Sequence, residues 1–117
     1  MVTKDITLNG KTYPVVFTMK TIMGFEDIIG HSFFNEKTFS TFKVRIALII
    51  AAIVAADDKV EITFEELGAI DTLEGMNDIV KAFNTVMELS AAFFHLPAVE
   101  QQEEKKGKKN GKDSKNV

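Results

Sequence analysis

The sequence predicts an α+β domain: an N-terminal β-hairpin packed on a small bundle of three to four α-helices, followed by a disordered lysine-rich tail. Three observations point there. Asn9-Gly10 separates two short β-like runs, and this dipeptide suits a two-residue turn because both central positions need positive φ. Downstream, apolar residues recur at helical spacing in separate stretches. After Pro97 the chain changes to Glu, Gln, Lys, Gly and Asn, and Val117 is the one apolar residue beyond Val99.

The hairpin is expected over residues 2–17. A two-residue loop pairs Leu8 with Lys11, Ile6 with Tyr13, Lys4 with Val15 and Val2 with Phe17, and these pairs share the face that holds most of the large apolar side chains. Pro14 falls on the other face and has no N–H to give a ladder, so the second strand should be an edge or carry a bulge. An isolated hairpin is marginal in water. It must rest on helices or pair with another chain.

A first helix is expected over Lys20 to Ile29, with Ile22, Phe25, Ile28 and Ile29 on one face and Gly30 as its stop. His31 to Lys37 then forms a connector in which Phe33 and Phe34 are candidate pins. Thr38 or Ser40 would cap the longest helix, which ends near Ala56. In it Phe39, Phe42, Ile46, Ile49, Ile50 and Ile53 make one stripe, while Val44, Leu48, Ala51, Ala52 and Ala55 cover much of the rest. A helix apolar nearly all round is either central in its domain or shared with a neighbour, which points to self-association or a hydrophobic client as well as to a plain core helix. Thr63 and Glu66 have the spacing of a capping box for a short helix from Phe64 to about Ile70. Residues 73–95 make a fourth helix, with Ile79, Phe83, Val86, Ala91 and Phe94 among its buried candidates, and Leu96-Pro97 ends it. The expected organisation is a domain over 1–97 and a tail over 98–117, too polar to offset its ordering entropy.

Composition narrows the function classes. The 117 residues are 45% hydrophobic and 26% charged, ordinary values for a globular chain. Ten Phe against one Tyr and no Trp are not ordinary, and rings without a polar handle should be buried or pressed against a partner. The net charge of −3 is unevenly spread: from Glu100 onward six lysines face four acids, whereas the first 99 residues carry 8 basic and 13 acidic side chains. A domain that acidic repels phosphate backbones, so nucleic-acid binding is not expected of it. Tail lysines interspersed with Gly, Asn and acids read first as a solubilising extension, with loose attraction to an acidic partner or nucleic acid as the alternative. The absence of Cys excludes disulfides and thiol chemistry. Met1 to Gly10 has no apolar segment of a secretory signal, and the eleven apolar residues from Ile46 to Ala56 fall short of the roughly 17–25 a spanning helix needs. A cytoplasmic location is expected, with no membrane partner.

Candidate chemistry is sparse. His31 and His95 lie far apart without neighbouring ligands, and two potential ligands do not make a structural zinc site. Counting from Asp57 as an EF-hand loop puts Ile62 where Gly is needed and Gly68 where Glu is needed. Glu65 and Glu66 are adjacent on a helix and do not face each other, and their place in a first turn is explained by the helix dipole. No phosphate-cradling glycine pattern or nucleophile–base set appears. No catalytic, cofactor-binding or metal residues are assigned, and an enzyme is not expected.

Three stretches carry a family likeness: Ile6-Thr7-Leu8-Asn9-Gly10-Lys11-Thr12-Tyr13 with Val15-Val16-Phe17, Met23-Gly24-Phe25-Glu26-Asp27-Ile28-Ile29-Gly30, and Ile62-Thr63-Phe64-Glu65-Glu66-Leu67-Gly68 before a long helix and a charged end. In order, length and texture the chain resembles the small tail assembly chaperones of long-tailed bacteriophages (siphoviruses) and prophages. The resemblance implies a non-enzymatic protein that coats the hydrophobic tape measure protein, recruits tail tube subunits and is absent from finished particles. Many members are also made in a longer form by a programmed ribosomal slip, and Gly107-Lys108-Lys109 can be encoded by a run suited to one. A chaperone of that kind needs apolar surface shielded until its client arrives, often by self-association. Phe39, Phe42, Ile46 and Ile49 are the expected protein-interface residues, and a homo-oligomer is expected. The alternative is a virion structural subunit, such as a connector or tail-completion protein.

Overall fold

A computed structural model describes residues 2–36 and 39–95. It is an α+β fold: strands β1 (Lys4–Leu8) and β2 (Lys11–Val15), then helices α1 (Met19–Ile29), α2 (Phe42–Ala56), α3 (Phe64–Gly68) and α4 (Leu73–Phe93), with a 3-10 turn at Phe33–Asn35. Backbone contacts divide the chain inside α4, into Met1–Met87 and Glu88–Val117. The tail expected from residue 98 lies outside the described residues, as do Leu96 and Pro97.

The hairpin has the register that its turn dictates. Asn9 and Gly10 have φ of 51° and 84°, and Lys4 pairs with Val15, Ile6 with Tyr13 and Leu8 with Lys11. Ile6, Leu8 and Val15 are buried. Pro14 sits opposite Asp5 in an unbroken ladder. Counting out from the turn, that pair is one whose N–H groups point away from the partner strand, so the missing donor costs no ladder bond. Two-stranded, the sheet leaves β2 as an edge rather than a bulged strand.

The exit of β2 is tied to two helices. The Val16 N–H donates to the Ala52 carbonyl of α2 at 3.4 Å. The fully buried Thr21 hydroxyl donates to the Val16 carbonyl at 3.0 Å and accepts the Thr18 N–H at 3.0 Å. One side chain thus satisfies two backbone groups where strand becomes helix. Gly30 ends α1 in the left-handed region, its N–H donating to the Glu26 carbonyl at 2.8 Å. The Glu26 carboxylate accepts the Phe33 N–H at 2.9 Å, and the Ser32 hydroxyl accepts the Phe34 N–H at 3.2 Å. These bonds fix the 3-10 turn so that Phe33 points in and Phe34 points out, 69% exposed.

Phe33 is the hub of a ring cluster. Its centroid lies 5.8 Å from Phe17, 5.7 Å from Phe25, 5.6 Å from Phe39 and 5.4 Å from Phe34, in edge-on or tilted geometries that suit the ring quadrupole. Phe39 extends the cluster to Phe83 of α4, at 5.8 Å. To reach it the backbone at Phe39 adopts φ of 49°, which removes Phe39 from any helix. The second helix accordingly begins later than the sequence predicts: Thr41, not Thr38 or Ser40, is the cap, and its hydroxyl accepts the Val44 N–H at 3.2 Å.

Seven consecutive residues of α2, Ala47 to Ile53, are buried, which amounts to its full circumference over two turns. Within the fold, α2 is therefore the central helix. α1 crosses it where Gly24 meets Ala51: a Cβ on Gly24 would lie 3.5 Å from the Ala51 Cβ. The short α3 carries the expected reciprocal cap, with the Glu66 N–H on the Thr63 hydroxyl at 3.1 Å and the Thr63 N–H on the Glu66 carboxylate at 3.2 Å. Thr72 starts α4, its hydroxyl accepting the Gly75 N–H at 3.0 Å. Gly75 leaves no room for a side chain, since a Cβ there would lie 2.4 Å from Ile70 Cγ2. Ile79, Ala82 and Val86 of α4 are buried, Phe83 is half-buried, and in the second unit Leu89 and Ser90 are buried while Ala91 and Phe94 are half-buried. There the Phe93 and Phe94 rings meet edge-on at 5.1 Å.

Candidate functional site

The apolar side chains left over by this core gather along two grooves. The first runs between α1 and α2, with a volume of about 480 Å³. Gly24, Ala51 and Ala55 are its small residues, Met23, Ile28, Ile50 and Val54 its large apolar ones, and Lys20, Asp27 and Asp58 its charged members. The small residues follow from the close crossing of α1 over α2, which leaves a shallow channel beside the contact.

The second groove, about 430 Å³, lies where the start of α2 meets α3 and the first turns of α4. Phe42 and Ile46 come from α2, Leu67 and Ile70 from α3 and the loop after it, and Leu73, Met76 and Ile79 from α4. Asp71 is its one charged member. Leu73 is 69% exposed, and Phe42 and Met76 are each 43% exposed. The three meet because the Thr72 cap and the close fit of Ile70 on Gly75 set the direction in which α4 leaves α3.

Two of the four expected interface residues, Phe42 and Ile46, line this second groove. The other two lie inside the fold. Phe39 is 6% exposed inside the ring cluster, and Ile49 is fully buried in α2. Phe39 precedes α2 and turns into the ring cluster, and Ile49 falls in the stretch of α2 that is buried on every side. Met23, Val54, Leu73 and Met76 were not singled out by the sequence. Methionines on exposed helix faces offer a signal after the fact, since an unbranched thioether adapts to varied apolar partners.

Arg45, the only arginine of the chain, stands beside the second groove. Its guanidinium lies over the rings of Phe42 and Phe83, 5.5 Å and 5.3 Å from their centroids, and its Nε donates to the Phe39 carbonyl at 2.7 Å. His31 and Glu36 form a surface pair at 2.7 Å, and neither lines either groove. Among the described residues no group of three or more His, Asp or Glu side chains is placed to hold a metal ion, and no helix is long and apolar enough to cross a membrane.

Comparison with family models, curated proteins and solved structures returned no match to the chain.

Proposed function

We propose that the chain is a phage tail assembly chaperone, a non-enzymatic protein that holds apolar helical segments of the tape measure protein soluble and brings tail tube subunits to them in the host cytoplasm. One observation supports this most directly. Of the ten large apolar side chains exposed among the described residues, six line one of the two grooves: Met23, Ile28 and Val54 in the first, Phe42, Leu73 and Met76 in the second. Scattered exposed apolar residues need no explanation, whereas grouped ones mark places where another apolar surface is received. Grooves between helices suit an amphipathic helix laid in with its i, i+3, i+4 and i+7 side chains. Self-association that covers the grooves before the client arrives belongs to the same reading.

The test is an immunoblot, with antibody raised to residues 1–97, of phage-producing cells beside purified particles. The reading expects the chain in cells, accompanied by a minor longer form, and neither band in particles. A single band retained in particles would make the chain a virion structural subunit instead.

A further inference from the structure

We infer that Arg45 is a carboxylate anchor at the rim of the second groove, and that the segment received there is an amphipathic helix carrying an Asp or Glu at the border of its apolar face. The inference rests on the chaperone reading and deepens it by giving the chemistry of the client segment.

Three features of Arg45 carry it. The guanidinium is positioned before any partner arrives, by two rings and by the Nε bond to the Phe39 carbonyl. That bond uses one of five donors, and among the described residues no carboxylate lies within ion-pair distance of the terminal nitrogens. One of the two rings beneath it, Phe42, also lines the groove, so a helix resting on Phe42 passes the guanidinium. A planar fork held in one orientation loses little freedom on accepting a carboxylate, which is the advantage of Arg over Lys in such a place. Charge also selects the occupant. The first 99 residues carry 13 acids against 8 bases, so an acidic segment is repelled from most of the surface and welcomed only where a cation is fixed. Asp71, the charged member of the groove itself, calls for a basic side chain elsewhere on the same helix. The occupant is therefore an apolar stripe bordered by one acid and one base, and not a purely basic amphipathic helix.

The experiment uses the full chain and peptides tiling the tape measure protein of the same phage, with binding followed by fluorescence anisotropy. In each binding peptide every Asp and Glu is changed in turn to Asn or Gln. The expected result is one acid whose loss weakens binding to the wild-type chain about tenfold, the scale of one charge-assisted hydrogen-bonded contact. The same change should cost less than about twofold against Arg45→Lys or Arg45→Gln, because the contact is already gone. The acid change leaves the chaperone intact, so this coupling is read without depending on how well the arginine variants hold Phe39. Phe42→Leu, which removes one supporting ring, should reduce the coupling without abolishing groove binding. Peptides that bind with no sensitive acid, or an acid effect undiminished in the Arg45 variants, would overturn the anchor and leave the chaperone reading standing. Failure of every peptide to bind would overturn both.

Discussion

The hydroxyl of Thr21 donates to the carbonyl of Val16, and through it the residue that follows β2 is fastened to the first turn of α1. Thr21 is fully buried and accepts the Thr18 N–H with the same oxygen, so its β-branched shape alone cannot replace it. Thr21→Val keeps the volume and leaves both backbone groups without that partner. It should destabilise the fold by about 1–3 kcal/mol, measured as a shift in the urea midpoint, and Thr21→Ser should recover part of the loss.

Phe33 and Phe34 are neighbours of identical chemistry with opposite fates. Phe33→Ala empties the hub of the ring cluster and should cost about 3–5 kcal/mol. Phe34→Ala removes a largely solvent-facing ring that touches Phe33 edge-on, and should cost under about 1 kcal/mol. Equal losses in chemical denaturation would mean that the 3-10 turn does not orient the pair as described.

Two helical glycines should respond oppositely to alanine. At Gly24 the new Cβ would meet Ala51 at 3.5 Å, an ordinary contact, so Gly24→Ala should stabilise by roughly 0.5–1 kcal/mol through helix propensity. At Gly75 the Cβ would collide with Ile70, so Gly75→Ala should lower the melting temperature and disturb the second groove.

Leu73 offers a clean separation of binding from stability. At 69% exposed it contributes little to the core, and Leu73→Asp should leave the unfolding free energy within about 0.5 kcal/mol of wild type. If the proposed chaperone function holds, the variant co-expressed with a tape measure protein should keep less of it in the soluble fraction than wild type does. An unchanged soluble fraction would remove the second groove from the proposed binding surface.

Much of this fold was written locally. The hairpin register follows from Asn9-Gly10 and an alternation of period two, and α3 follows from the Thr63–Glu66 spacing, because both depend on residues close in sequence. The start of α2 was not legible, since Thr38, Ser40 and Thr41 are all adequate caps and the choice is made by the burial of Phe39 among rings from distant elements. The grooves were legible only in part for the same reason. Phe42 and Ile46 could be suspected from an unusually apolar helix, but Leu73 and Met76 join them only once Ile70 has seated on Gly75. Periodicity finds a helix face; it does not say which other chain segment will cover it.

The two edges of the hairpin are unlike each other. β2 presents Pro14, which has no donor, and then Val16, whose N–H is already given to Ala52. Beside β1, Thr3, Asp5 and Thr7 are solvent-exposed and none is proline. Strand addition is thus favoured on one side and discouraged on the other. Two copies joined through β1 would make a four-stranded ribbon with a β2 at each margin, and neither margin invites a third. The hairpin carries its own chain terminator, so any association through it would end at a pair and not run on into a fibre.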